Sequence, residues 1–370
     1  MAELTNYDDY ENAEKTSTLK ETDRKCPACG GTMDYDPATG GLHCPYCDYT
    51  EEIEKTDEPV KKAEELDFNS AELTGNCDWG VANKTVTCKS CGAVSVYDAL
   101  EVANECPYCG SNQVMEANDI STLAPNGVIP FKITAKDAGE KFTNWLKKKW
   151  FCPTPAKKNA KADKFQGIYL PYWTFDANTS TDYTGKYGID RTVKDGENGT
   201  KTVTDWHNCS GHYDHFIDDA LVQGSNHHDN TIMDMIEPFD TEDNVAYKPE
   251  YIAGYAAERY SIGLKDAWER AKHYIVNVLT ALIEEKIMKD HKADHAKDVS
   301  MRTTYSNITY KYLMLPVYIS SFTYKGKVYQ FMVNGQSGKV GGRSPVSALR
   351  VLVAILIVAA IFGLIYLLTH

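Results

Sequence analysis

The chain has 370 residues, of which 42% are hydrophobic and 25% charged, and its formal net charge is -13. That length accommodates small modules beside one or two ordinary globular domains, and so acidic a balance argues against nucleic acid as a partner for the whole surface. The opening Met1-Ala2-Glu3-Leu4 and the acidic residues after it lack the basic and apolar segments of a secretory signal, so the 11 cysteines are expected to stay reduced.

Residues 1–22 are polar and acidic and are expected to be disordered. Residues 23–50 and 77–115 each carry two CxxC pairs: Cys26/Cys29 with Cys44/Cys47, then Cys88/Cys91 with Cys106/Cys109. In each copy 14 residues separate the pairs, and every cysteine of the second copy stands 62 positions after its counterpart. A CxxC step lets two sulfurs of one tight turn reach one ion, and Zn–S bonds of about 2.3 Å close a segment too short to build an apolar core. Gly30, Gly92 and Gly110 stand where such turns need a positive φ, whereas Asp48 follows Cys47 and tolerates that conformation less well. Each copy is therefore expected to be a zinc ribbon holding one structural Zn2+, two ions in all. A disulfide framework needs an oxidising compartment, and a redox pair would use one CxxC rather than four in register. Iron also suits four thiolates, with zinc the default on softness and geometry.

From Glu21 to Glu52 seven acidic residues face only Arg24 and Lys25, which is the wrong sign for gripping phosphates. Residues 51–76, with Glu54, Asp57, Glu58, Glu64 and Glu65, read as an acidic linker, partly helical, that leaves the ribbons independent of the C-terminal domain. Chelation or Cys88→Ser is then expected to unfold the second ribbon and leave the C-terminal domain intact.

An α+β domain with an antiparallel sheet is expected over 125–342. Its first helix runs from about Ala135 to Trp150, with Ala138, Phe142, Trp145, Leu146 and Lys149 at helical spacing. Its second runs from about Leu264 to Met288, with Trp268, Ala271, Ile275, Leu279, Leu282 and Ile283 on one stripe. After each helix comes a strand with a Leu-Pro step, Ile168–Trp173 and Leu313–Tyr318, so the domain reads as a diverged α-then-β duplication. Lys325-Gly326 and Asn334-Gly335 mark hairpin turns between aromatic-rich strands.

Val351–Leu368 is a run of 18 uncharged residues. Taken as 346–369, it is expected to be a transmembrane helix, long enough for the ~30 Å hydrocarbon core. Arg343 and Arg350 precede the uncharged run, which by the positive-inside rule is expected to keep the bulk of the chain cytoplasmic, in reach of the bilayer as a partner.

Other residues carry weaker signals. Lys132 to Lys164 contains ten lysines against Asp137, Glu140 and Asp163, a solvated face or a surface for anionic headgroups. His207, Cys209, His212 and His215 include enough ligands for a metal but sit in a polar strand-and-turn region. His291 and His295 are four apart, with Lys292 where a zincin carries its glutamate. No phosphate loop and no GxSxG elbow is present. Cys77, Cys152 and Cys209 read as packed thiols.

Asp78-Trp79-Gly80 before Cys88-x-x-Cys91-Gly92, the Cys106-Pro-Tyr-Cys109-Gly110-Ser111 knuckle, Ile129-Pro130-Phe131-Lys132, Trp145–Trp150, Tyr169–Asp176 and Val333–Val340 resemble the bacterial TFIIB-type zinc-ribbon proteins common in Firmicutes. The likeness covers about Cys26 to Pro345 and implies the two ribbons, not an activity. Members of that family are sometimes labelled as the primosomal helicase, but this chain has no Walker A loop and no helicase core. Three functions are therefore carried forward: a non-enzymatic, membrane-tethered adaptor that recruits a protein partner; a nucleic-acid-binding protein using the ribbons or the lysine patch; and an enzyme with a site among Asp176, Asp190, His207 and His212.

Overall fold

The computed structural model describes residues 25–53, 60–69, 83–88, 94–98, 114–117, 123–160, 165–195 and 199–369. The disorder expected for 1–22 lies outside them.

The first cysteine module is a small antiparallel sheet of β1 (Asp34–Asp36), β2 (Gly41–His43) and β3 (Thr50–Glu51). Next come β4 (Leu66–Asp67), within the expected linker, and β5 (Asn83–Cys88), β6 (Val94–Asp98) and β7 (Val114–Ala117) in the second module. The domain continues as β8 (Gly127–Val128), helix α1 (Ala135–Lys148), the short α2 (Thr154–Asn159), β9 (Gln166–Asp195), β10 (Gly199–Gln223), α3 (Asn230–Ile236), β11 (Val245–Ala246), β12 (Ala256–Glu258), α4 (Leu264–His291), β13 (His295–Tyr324), β14 (Lys327–Asn334) and β15 (Val340–Gly342). Helix α5 (Ala348–Thr369) ends the chain. The expected α+β class holds: a large, mostly antiparallel sheet runs β11-β8-β13-β9-β12-β6-β5-β7, with β10 on β9 and β14 on β13.

The helices form where sequence period and caps agree. Thr134 caps α1 by accepting from the Asp137 amide while the Asp137 carboxylate takes the Thr134 amide. Ala138, Phe142 and Leu146 are the buried face of α1, and Ala267, Trp268, Ala271, Ile275, Leu279, Ile283 and Ile287 that of α4. α4 stops at His291 because Lys292 turns left-handed (φ 51). Between the helices and α3 the middle of β9, Ile168 to Phe175, is buried on both faces. Tyr169, Trp173 and Phe175 join the core that includes α1 and α4, while Ile168, Leu170 and Tyr172 pack with Ile232, Met233 and Ile236 of α3.

The duplication is visible in the strand register. β12 pairs parallel with β9 at Ile168, and β8 pairs parallel with β13 at Leu313, 145 positions later. β10 joins β9 from Tyr172 and β14 joins β13 from Val317, again 145 positions later. Each repeat is thus a short strand, a helix, a long strand and a return strand, and each short strand pairs with the long strand of the other repeat. A local two-fold relates β9 to β13, with Tyr169 opposite Pro316 and Pro171 opposite Met314.

The strands outrun the body. β9 and β13 each have 30 residues and β10 has 25, so at about 3.3 Å per residue the longer two extend about 100 Å. Beyond about Asn178 they form a three-stranded arm in the order β10-β9-β13, with Ala177, Thr179, Thr181 and Tyr183 buried along one face.

The expected independence of modules and domain does not hold. Residues 60–69 lie as an extended strap on the domain, not as a partly helical tether. β4 pairs with Thr309 and Tyr310, Ala246 N–H donates to Lys61 O (2.7 Å), and Phe68 packs edge-on against Phe175. Tyr35 of the first module donates its hydroxyl to Phe131 O (3.3 Å) and its amide to Ala253 O (3.0 Å). Asp34 then lies so close to Gly254, itself at φ 77, that a Cβ there would meet it at 2.7 Å. Cys26, Met33, Tyr35, Leu42 and Cys44 belong to the same apolar cluster as Phe131 and Tyr169. The second module extends the main sheet through β6, whose Val96 and Ser95 pair with Ala257 and Glu258.

Among the described residues no helix is long and apolar enough to cross a membrane. The described side chains of α5 run unbroken only to Gly363, since Leu364 and residues 367–369 lie outside them.

Candidate metal centre

Two matching turns build the first site. Cys26 accepts from Gly30 N–H (2.8 Å) and donates to Gly31 O (2.7 Å), while Cys44 accepts from Asp48 N–H (3.0 Å) and donates to Tyr49 O (2.8 Å). Both turns close through a left-handed residue, Gly30 at φ 76 and Asp48 at φ 58. The aspartate does adopt the expected strained conformation, which its short side chain makes accessible. Cys26 and Cys44 are buried and Cys29 and Cys47 exposed.

All four sulfurs lie within 4.8 Å of one another. Cys26 Sγ is 3.4 Å from Cys47 Sγ and Cys29 Sγ is 3.5 Å from Cys44 Sγ. A disulfide is about 2.05 Å long, whereas the edge of a tetrahedron with ~2.3 Å metal–sulfur bonds is about 3.8 Å. The spacing fits four ligands of one ion. Burial raises the Cys26 thiol, but the Ala28 and Cys29 amides and the neighbouring sulfurs outweigh it and bring it down to about 7. The Tyr49 amide lowers Cys47, yet the sulfurs of Cys26 and Cys29 push it up to about 12. Four thiols this close cannot all ionise without a cation among them, which a bound metal supplies. With four protein ligands the site is closed.

In the second module Cys88 ends β5; Cys91, Cys106 and Cys109 lie outside the described residues. The pair that flanks the first turn recurs in register: Lys25 bridges Thr32, and Thr87 pairs with Val94, 62 positions later.

The other candidate residues are not brought together. On β10, His207, Cys209 and His215 alternate onto one face and His212 onto the other, and His207 to His215 spans about 26 Å at strand rise. They cannot share an ion. His212 instead sits between Asp182 (2.7 Å) and Asp214 (2.9 Å), which raise its pKa, and His207 stacks on Tyr187. Asp176 lies at the base of the arm, and Asp190, some 46 Å farther along β9, bonds Thr204 (2.6 Å) and His295 (3.1 Å). His291 ends a helix and His295 begins a strand, so they share no helix face. Cys152 is a buried thiol and Cys209 a half-buried one, as expected; Cys77 lies outside the described residues.

Sequence reasoning missed two polar clusters. Glu258 is fully buried in β12 and accepts from Ser225 Oγ (2.5 Å), with His227 Nδ1 at 2.7 Å and His228 Nε2 at 2.6 Å. Burial raises its pKa, but His228, His227 and Ser225 hold it down at about 2. The tandem histidines and a glutamate inside Ala256-Ala257-Glu258 were the available signals. The second cluster sits under the strap: Lys311 Nζ meets Asp219 (2.6 Å) and Glu65, while Asp176 accepts from the Asp219 amide (2.7 Å). Three carboxylates converge there, but the Lys311 ammonium already supplies the cation. Burial pushes Asp176 up to about 6.

No family model matches this chain and no solved structure matches it. The uncharacterized protein YdjG of Bacillus subtilis (strain 168) is 29% identical to it over 329 residues, 87% of this chain and 90% of the relative. The likeness therefore runs through most of both chains rather than through one module.

Proposed function

We propose that this chain is a membrane-anchored zinc protein that acts without catalysis of its own, as an adaptor holding a protein partner at the cytoplasmic face of a bilayer. The observation that carries the reading is α5. Leu352, Ile355, Leu356, Ile357, Val358, Ile361 and Phe362 point to different sides of it and are each 51 to 68% exposed. In water such side chains cost roughly 1 to 2 kcal/mol each, and no face of the helix is polar enough to be the wet one. The backbone of Ala348–Thr369 is helical over 22 residues, about 33 Å against ~30 Å of hydrocarbon, and the apolar run continues in sequence through Leu364, Leu367 and Leu368, whose side chains lie outside the described ones. Arg343 and Arg350 on its N-terminal side favour a cytoplasmic body.

Zinc suits the closed tetrathiolate set of Cys26, Cys29, Cys44 and Cys47, and the 62-residue repeat extends that reading to a second ion on Cys88, Cys91, Cys106 and Cys109. The sequence's resemblance to TFIIB-type zinc-ribbon proteins would imply both. Because the first module and the strap are packed on the domain, the partner surface of this reading is the arm rather than a tethered ribbon. Ile189, Trp206 and Phe216 are exposed along it, and among the described residues β10 pairs only with β9, leaving an edge of the kind that captures extended peptides.

Membrane fractionation tests the anchor: the full chain is expected in the detergent-extracted membrane fraction, and a chain ending at Pro345 in the soluble one. A full chain that stays soluble overturns the anchor. A photocrosslinker at Trp206 tests the adaptor, with one discrete protein adduct expected; adducts to DNA or RNA would instead favour the nucleic-acid role.

A further inference from the structure

Where α5 leaves the body, the chain is clamped to one particular turn. Arg350 Nη1 donates to Trp150 O and Cys152 O (both 2.6 Å), and Nη2 donates to Thr154 Oγ1 (2.7 Å). Ser347 N–H donates to Phe151 O (2.9 Å). Satisfying backbone carbonyls with a guanidinium fixes the end of α5 against residues 150–154, so helix and turn move as one unit. Phe151 also lines an apolar cavity of about 510 Å³ with Val346, Val351, Ala354, Ile355 and Val358 of the helix segment.

The turn carries the side chains of a membrane interface. Trp150 is 50% and Phe151 43% exposed, their rings edge to face at 5.0 Å. Lys147, Lys148 and Lys149 precede them and Lys158 comes after, all exposed. On a chain of net charge -13, this cluster of cations beside an exposed aromatic pair runs against the overall sign. Tryptophan favours the headgroup level, and each lysine near anionic headgroups contributes about 1 kcal/mol.

We infer that the 147–158 turn is a second membrane contact, with Trp150 and Phe151 in the interface and Lys147, Lys148, Lys149 and Lys158 on anionic phospholipid headgroups. It rests on the reading of α5 as the anchor and adds to it a fixed pose: the Arg350 clamp sets the body, and hence the arm, at one orientation to the bilayer.

The test uses the full chain in lipid nanodiscs, with or without brominated acyl chains, made from neutral lipid alone or with an anionic phosphatidylglycerol fraction. The difference in emission between wild type and Trp150→Phe isolates Trp150 from the other tryptophans. Brominated lipid is expected to reduce that difference at least twofold in anionic discs, and Lys147→Gln with Lys148→Gln to weaken the quenching there more than in neutral discs. A chain that stays in the disc while Trp150 is unquenched overturns this inference and leaves the anchor standing. Quenching that ignores both lysines and lipid charge overturns the headgroup contact. A chain that does not enter the disc overturns the anchor, and the inference with it.

Discussion

Single residues show how much the metal module depends on its ligands and how the domain manages buried charge. Cys44 is wholly buried and joins the metal turn to the apolar cluster. Cys44→Ser is expected to lower metal content by one ion per chain and to destabilise the domain by about 4 kcal/mol, the linkage term for a ligand at a thousand times its Kd; plasma emission spectrometry and chemical denaturation measure the two effects. Glu258 has a folded pKa below its unfolded value, so its stabilisation is full above about 4.5 and is lost as pH falls toward about 2. Glu258→Gln is expected to cost about 3 kcal/mol at pH 7, because Ser225 and both histidines lose an ionised partner. Asp176 runs the other way. Its raised folded pKa gives stability below about 3.8 that is lost as pH rises through about 6. Asp176→Asn keeps the acceptor for the Asp219 amide, so the variant should denature with a flatter pH dependence between 4 and 6 than wild type.

At the scale of elements, the strap is the part that sequence concealed. Glu64 and Glu65 mark 60–69 as solvent-seeking, yet Phe68 lies on Phe175 and Trp268 and the Phe68 amide bonds Ile308 O. Those partners stand more than a hundred residues away, so no local pattern announces them. Phe68→Ala is expected to cost about 2 kcal/mol and to raise hydrogen exchange at the Phe68 amide well above that of the neighbouring β13. The arm was hidden for a related reason: one face of β9 and β10 is wet, and Asn178, Ser180 and Asp182 interrupt the apolar run that marks Ile168–Trp173 as a strand. Features set by local chemistry were legible. The CxxC spacing gave the four-sulfur cluster, the apolar stripes gave α1 and α4, and Lys325-Gly326 gave the β13–β14 turn, with φ 50 and 75. The two Leu-Pro strands pointed to the duplication, but not to the exchange of short strands between repeats, which is a long-range choice. The Glu258 cluster left its parts in the sequence but not their pairing, because its histidines come from a loop some 30 residues earlier.

For the whole molecule, the metal module, strap and domain form one body rather than ribbons on a leash. The first module shares the core through Met33, Tyr35 and Leu42, and the second continues the sheet through β6 and β12. On the proposed adaptor reading, such a body presents a rigid surface at a set distance from the proposed anchor, instead of searching with a flexible arm. With the cysteine cluster packed into the core, metal occupancy and domain stability are expected to be one quantity. Calorimetry of the full chain in detergent, with and without a strong chelator, tests it most directly. A single transition whose Tm falls by several degrees on metal removal, together with the near-ultraviolet dichroism of the buried Trp173, is the expected result. A main transition that keeps its Tm while the metal leaves would show the cysteine modules to be independent of the domain and would contradict the account.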